Sequence, residues 1–426
     1  MTLAVALLII LLLIALNVPV AFSMIAGTAY FFIFTDSVTN DIVVQQMVSG
    51  VLSFPLLSIV FFVTAGILMN YTGITERLLH FARVLTGYMV GGLAKVNVLL
   101  SLLMSGLSGS NIADAAMQSK IIVPEMTKKR YPIGFSSALT ASSALIAPII
   151  PPGIGLIIYG YVSGTSIGDM FVAGILPGVL LAIMMLIVVH IISKKRHFEA
   201  EEQPSPSFKE VLSSSKYALL ALLLPIIIVG GIRIGVFSPT EAGAIAILYA
   251  IILGVVYREL SFANLLLAMK ESVQILATIM IIIAAGTAFG WMLTLEQIPQ
   301  TLMNMMTSVI ESPYLFLFLV MIFLIVIGMF LEGNVLLIIL TPIFMPMLDV
   351  YGIDPVHFGI FFILCLAIGT ITPPIGTVMF AVISITKAKI NQFIKEVLPF
   401  WGVLITVILL IAYIPAFSLW LPELFS

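Results

Sequence analysis

Apolar runs long enough to cross a lipid bilayer recur from one end of the chain to the other, and they limit its fold more than any other feature. No water reaches backbone N–H and C=O groups inside a bilayer, so a crossing segment must be a helix or part of a closed barrel. A helix of about 20 apolar residues spans the hydrocarbon. Runs of that order lie near residues 2–16, 18–34, 55–72, 135–160, 170–193, 217–237, 240–257, 273–293, 356–384 and 398–420. The expected fold class is an all-α polytopic membrane protein. With 61% hydrophobic and 9% charged residues, a soluble core is no rival. A net charge of −2 offers no basic stripe to follow phosphates, which excludes nucleic acid as a partner. Cys365 stands alone, so neither an intrachain disulfide nor a thiolate metal cluster can form. The opening MTLAVALLII has no positive n-region, and with the break at Asn17-Val18-Pro19 it reads as two spans rather than a cleaved signal.

Two further apolar segments, 96–125 and 313–348, are interrupted by Gly, Ser or Asn, and neither half is long enough to cross. Each is expected to be a re-entrant hairpin that enters and leaves on one face. Lys and Arg accumulate in cytoplasmic loops. Placing both termini on the periplasmic side puts every basic residue except Arg233 inside, and leaves Asp36, Asp41, Asp169, Asp349 and Asp354 outside.

A repeat then emerges at a nearly constant displacement. Pro19 corresponds to Pro239, Ala65-Gly66 to Ala285-Gly286, Gly109 and Asn111 to Gly333 and Asn334, and Pro151-Pro152-Gly153 to Pro373-Pro374-Ile375-Gly376. Each half holds an odd number of spans, so the second is expected upside down relative to the first. Residues 1–193 form the first inverted repeat, the polar stretch 194–216 a cytoplasmic linker, and 217–426 the second repeat. Amphipathic stretches at 39–53 and 258–271 read as interfacial arms.

The polar interruptions sit at membrane depth, where non-helical backbone survives only if buried in protein or lining a cavity. They are Ser105–Asn111 and Gly328–Asn334 at the hairpin turns, and Ala147–Gly153 and Gly369–Gly376 in the spans that follow. Adjacent prolines strip carbonyl oxygens of their helical donors. Such oxygens suit a small hard cation, while half-helices that start at Ser110-Asn111 and Gly333-Asn334 aim positive dipoles at an anion held between the tips. Ser110, Asn111, Asn334, Pro373 and Thr377 are the substrate-binding candidates. Asp114 and Glu332 are costly intramembrane carboxylates that either cap a broken helix end or couple an ion or proton. The hairpins and broken spans, 96–160 and 313–384, are expected to slide as one transport block against a scaffold of 2–34, 170–193, 217–257 and 398–420.

The runs SGLSGSNIADAAMQSKIIVPEM and FSSALTASSALIAPIIPPGIGLIIYG, with GMFLEGN and ITPPIGT in the second half, resemble the large membrane subunit of tripartite ATP-independent periplasmic (TRAP) transporters. The resemblance covers essentially the whole chain. It implies an elevator-type fold with about ten spans and two re-entrant hairpins, no enzymatic activity, and no organic cofactor. It further implies a multi-pass protein of the bacterial inner membrane and two or more sodium sites at the hairpin tips. By that similarity sodium would be held by Ser105, Ser108, Gly109, Ala147, Ile150 and Pro152, and by Gly328, Leu331, Gly333, Gly369, Thr372 and Pro374. The implied partners are a small four-helix membrane subunit, not fused here, and a periplasmic substrate-binding protein that delivers an organic acid such as sialic acid or a dicarboxylate. Leu331-Glu332 replaces the serine-rich chemistry of the first tip.

Three rivals are weighed on the residues. A stand-alone sodium/dicarboxylate or citrate symporter would share the fold without partners. Gly106-Leu107-Ser108-Gly109 matches the pattern of an intramembrane serine protease, but that chemistry needs a base beside the serine, and the repeat keeps the turn without the serine. A passive channel would need a ring of pore-lining helices that two opposed hairpins do not supply. His190 reads as a snorkelling residue at a span end, and His357 and Cys365 as packing.

Overall fold

The computed structural model describes residues 2–35, 41–198 and 205–425; Asp36, the start of the 39–53 arm and residues 199–204 of the linker lie outside the described residues. All regular structure within them is helical. Two short antiparallel helices, α1 (Thr2–Ala15) and α2 (Val20–Ile33), are joined by a turn in which Asn17 takes a positive φ and Pro19 opens α2. At 1.5 Å per residue each rises only about 21 Å, short of the roughly 30 Å hydrocarbon core. The expected spans 2–16 and 18–34 are thus a packed pair rather than two long rods. The first arm is α3 (Ile42–Val51), which bends by 52° into α4 (Leu57–Met69).

Next comes α5 (Ile74–Thr86), which falls between the apolar runs. Its Ile74, Leu78 and Ala82 are buried at i, i+4 and i+8, so one apolar stripe carries the helix in spite of Glu76, Arg77 and Arg83. The first hairpin follows as α6 (Gly92–Ser108) and α7 (Asn111–Lys128). The first broken span follows it, as α8 (Ile133–Ser143) with a 3-10 turn to Ile146, then α9 (Ile154–Ser163). Three long helices come next: α10 (Ile167–Lys195), α11 (Phe208–Arg233) and α12 (Pro239–Val256). Ser207 with Glu210 and Ser238 with Glu241 close capping boxes that start α11 and α12, and Pro239 sits where its missing N–H costs nothing. Arg233, the basic residue expected outside the cytoplasmic loops, bonds Asp169 at 2.6 Å and the Pro422 carbonyl at 2.8 Å.

In the second half α13 (Phe262–Leu295) runs unbroken for 34 residues. The separate arm expected at 258–271 is therefore corrected: no breaker stands between it and the apolar run, so one helix absorbs both. After the short α14 (Ile298–Thr307) come α15 (Pro313–Gly328) and α16 (Gly333–Tyr351), then a second broken pair, α17 (Pro355–Gly369) and α18 (Thr377–Thr386). The chain closes with α19 (Ile390–Tyr413) and α20 (Ala416–Phe425). Hairpin followed by broken helix pair thus occurs once in each half, in the same order. Among the described residues six helices are long and apolar enough to cross a bilayer, or seven with the bent α3–α4 pair. The other apolar helices are short because Gly, Pro and Ser interrupt them.

Packing sorts these elements. One group holds α6 to α9 and α15 to α18; α10 and α19 pack along its broken helices, and α20 packs on α10. A second group is built around α13 and the α4–α12 pair, with α2, α3 and α11. Met170, Phe171, Val397 and Phe400 are buried, and α10 and α19, which cover the expected scaffold spans 170–193 and 398–420, pack on the broken helices.

Candidate functional site

Each hairpin tip is stitched to the break that follows it by one backbone hydrogen bond. Ile154 N–H donates to Gly109 C=O at 3.3 Å, and Ile375 N–H donates to Met329 C=O at 3.2 Å. Both breaks also hold a cis Pro-Pro bond, Pro151-Pro152 and Pro373-Pro374. Backbone approaches backbone closely at these joints. Gly109 ends α6 at φ +60°, and a Cβ there would lie 2.2 Å from the Pro152 oxygen. A Cβ on Gly369 would lie 2.4 Å from the Gly328 carbonyl carbon.

The two tips and the two breaks meet at one cavity of about 50 Å³. Four helices begin on its walls: α7 at Asn111, α9 at Ile154, α16 at Gly333 and α18 at Thr377. A helix start carries about half a positive charge on its free N–H groups, so four starts make a field for an anion. The four preceding helices, α6, α8, α15 and α17, end at the same tips and breaks, and helix ends present carbonyl oxygens. Donors and acceptors are thereby segregated without one formally charged base.

Of the substrate-binding candidates, Ser110, Asn111, Asn334 and Thr377 line the cavity, whereas Pro373 does not. The Thr377 hydroxyl is buried with no hydrogen-bond partner among the described residues, as a group waiting for a ligand would be. Ser110 caps α7, its hydroxyl accepting from Ala113 N–H at 3.4 Å. Of the first sodium set, Ser105, Gly109, Ala147, Ile150 and Pro152 are buried, and Ser108 is half-buried at the end of α6. Of the second set, Gly328, Gly369 and Thr372 are buried, with Gly328 against Leu366 and Gly369, Leu331 and Gly333 are half-buried, and Pro374 is exposed. Pro148, Thr370 and Leu366 also line the cavity. They lie in or beside the interrupted stretches, but side-chain type gave no reason to single them out.

The two carboxylates differ in kind. Glu332 is the N-cap of α16: it accepts from Val335 N–H at 3.2 Å and from the Asn334 amide at 2.7 Å. Asp114 is not a cap. It is 2% exposed with the Ser108 hydroxyl as its polar neighbour, and Oδ2 has no partner among the described residues. A cap of this type contributes about 1 kcal/mol. Glu332→Ala is therefore expected to lower the melting temperature of the purified protein, and Glu332→Gln, which keeps an acceptor oxygen, to leave it near wild type. Equal loss in both variants would mean that the charge itself is used.

A second, larger cleft of about 930 Å³ adjoins the first. It shares Ser110, Ile154, Glu332 and Asn334 with it and extends to the start of α2 at Pro19–Phe22 and to Gln274 and Thr278 on α13. These two α13 polar side chains went unnoticed in the sequence because a single Gln or Thr in an apolar run has no spacing to flag it.

A helical membrane protein with paired hairpin tips and opposed helix ends around one cavity belongs to the class of membrane transporters. The model of the DctM component of the tripartite ATP-independent periplasmic transporters matches residues 7–417. The sialic acid TRAP transporter large permease protein SiaM of Vibrio cholerae is 41% identical over 96% of both chains. The C4-dicarboxylate large permease DctM of Pseudomonas aeruginosa is 36% identical, covering 87% of this chain and 86% of its own. The 2,3-diketo-L-gulonate large permease YiaN of Escherichia coli is 35% identical over 94% of each. In fold alone, the chain resembles the Alcanivorax borkumensis YdaH transporter, with TM-score 0.65 and 16% identity over 88% of both chains. The chain belongs to the TRAP transporter large permease family. A permease of organic-acid transport is not an enzyme, and the serine-protease reading of Ser108 falls with that assignment. The histidines agree: His190 lies 3.2 Å from Lys95, His357 bonds Ser418 at 2.7 Å, and His80 packs edge-on to Tyr217.

Proposed function

We propose that the chain imports an organic-acid anion across the bacterial inner membrane by sodium-coupled secondary active transport. The anion's carboxylate sits between the tips and the rest of the molecule in the adjoining cleft. The observation that carries this reading is the four helix starts around one cavity, with four helix ends just behind them. The small cavity at the tips takes the carboxylate, and the larger cleft has room for a body of sugar-acid size. Sodium binds the carbonyl oxygens and hydroxyls at each tip, in the first set through Ser105 to Gly109 with Ala147, Ile150 and Pro152. In the second set it binds Gly328, Leu331 and Gly333 with Gly369, Thr372 and Pro374.

Occupying both sites cancels carbonyl repulsion and fixes the tips, so the anion meets its N–H groups only when sodium is present. Two sodium ions moving down a roughly tenfold gradient at about 100 mV supply, net of one entering anion, about 5 kcal/mol, enough for several-thousand-fold accumulation. The two halves are inverted repeats, and the group of hairpins and broken helices moves as a block against the α13 group. Membership of a tripartite family supports a cognate small membrane subunit and a periplasmic binding protein as partners, and leaves the partner-free symporter without support. Sialic acid and C4-dicarboxylate relatives point to a carboxylate substrate.

Reconstitution of the chain with both partners in proteoliposomes tests the reading. Uptake of sialic acid or a C4-dicarboxylate is expected to rise about tenfold or more when an inward sodium gradient replaces choline. Equal uptake in both buffers would overturn the coupling.

A further inference from the structure

The first hairpin carries a row of polar side chains that starts at the tip's own Ser105 and runs on beyond the tip site. On α6, Asn97, Ser101 and Ser105 recur every four residues, and Asp114 and Gln118 do the same on α7, so each set lines one helix face. They meet Thr140 and Ser143 of α8. Asn97 Nδ2 donates to Thr140 Oγ1 at 2.7 Å, Ser143 Oγ donates to Asn97 Oδ1 at 2.9 Å, and Ser101 Oγ lies 3.0 Å from Gln118 Oε1 and 2.9 Å from Ser143 Oγ. Asn97, Ser101, Gln118, Thr140 and Ser143 are each 0% exposed. The seam starts one turn from the first tip, at Asp114 and Ser105, and runs toward the ends of the hairpin.

Interhelical glue is the ordinary role for such groups, and two observations exceed it. First, the seam is not self-satisfied: Asp114 Oδ2 and Gln118 Nε2 have no partner among the described residues, nor do the hydroxyls of Ser119 and Ser142, the chain neighbours of Gln118 and Ser143, and each residue is at most 2% exposed. Buried polar atoms left over in this way call for water or an ion. Second, the corresponding helices of the other half pack without it. Phe316, Phe344, Phe358 and Phe362 fill that space, and between the tip and the far end Thr341 is the only fully buried polar residue of α15 to α17 among the described residues. The fold does not need a polar seam to hold a hairpin against a broken helix.

We infer that the seam between α6, α7 and α8 is the release path of the coupling cation, carrying an alkali ion and its residual waters from the first tip to the cytoplasmic face. This rests on the sodium-coupled, periplasm-to-cytoplasm reading above. The oxygens of Asp114, Gln118, Ser101, Ser143, Asn97 and Thr140 replace the ion's water in turn, and the aromatic second hairpin stays dry and seals the opposite side. Lys95, positive at the start of α6, turns the ion to the α8 side, where Ser136 continues the face of Thr140 and Ser143 one turn toward the 129–132 loop.

Silver ion, a monovalent cation that binds thiols, reports the path without relying on transport. Cys365 is the sole cysteine, so Cys365→Ser provides a clean background. Ser101→Cys, Ser143→Cys and, in the second hairpin, Leu324→Cys are placed in that background and tested in the assembled complex in oriented vesicles in nitrate buffer. The remaining free thiol is then counted by mass after unfolding and alkylation. Both seam cysteines are expected to react about tenfold faster from the cytoplasmic side than Leu324→Cys does from either side, and sodium in place of choline should slow them. Seam cysteines as inert as Leu324→Cys would overturn the path. Entry of silver that sodium does not slow would overturn its assignment to the coupling cation. Sodium-independent uptake by the unmodified complex is a separate measurement and would strike the coupling reading instead.

Discussion

Gly109→Ala is expected to reduce uptake by about 100-fold or more while the protein still inserts and purifies, because two costs fall on one methyl group. The left-handed backbone at φ +60° costs an L-residue about 1–2 kcal/mol. The added Cβ would also lie 2.2 Å from the Pro152 oxygen, an atom of the proposed ion cage that has no flexible side chain to yield. Overpacking of this kind costs about 1–3 kcal/mol, and each 1.4 kcal/mol is tenfold. Gly369→Ala makes the same intrusion in the other half, 2.4 Å from the Gly328 carbonyl carbon, and is expected to do comparable harm. Ser108→Ala, at a half-buried side chain, should cost only about threefold if backbone oxygens dominate the binding. Radiolabelled uptake by the three variants at matched protein levels gives the ranking. Loss in Ser108→Ala as large as in Gly109→Ala would refute the dominance of backbone oxygens.

The second large effect is at the contact between the two helix groups. Ala65-Gly66 of α4 meets the first hairpin and Ala285-Gly286 of α13 the second. A Cβ on Gly66 would sit 2.9 Å from the Leu107 oxygen, and one on Gly286 would sit 2.1 Å from Ile338 Cγ2. Smooth glycine surfaces at both contacts fit the proposed sliding of the hairpin group past the α13 group. Gly286→Ala should slow uptake by about tenfold or more, and adding Ile338→Ala, which removes the colliding methyl, should bring it back to within about threefold. Rescue is the decisive readout. Uptake equally low in the single and double variants would mean that Gly286 serves the α13 backbone rather than the sliding contact.

Much of the fold was legible in the sequence because a bilayer forbids most alternatives. Interruptions such as Ser105–Asn111 and Gly369–Gly376 betrayed themselves by lying where unsatisfied backbone is costly. The hairpins, the broken helices and the placing of Ser110, Asn111, Asn334 and Thr377 at one cavity all follow from that reasoning and from the repeat. Less legible were elements whose signal is competitive rather than absolute. Charges in α5 masked its apolar stripe, and the 258–271 arm merged into α13 because nothing stops a helix between them.

Where helical hydrogen bonding must fail can be read from the residues alone, since proline, glycine and serine at membrane depth act locally and need no partner to act. What those failures face is set by packing in three dimensions. The approach of Pro152 to Gly109, the capping of α16 by Glu332, and the docking of α10 and α19 on the broken helices depend on side chains far apart in the chain. In lipid these contacts are chosen by close packing rather than by hydropathy, and packing leaves no periodic trace along a uniformly apolar sequence.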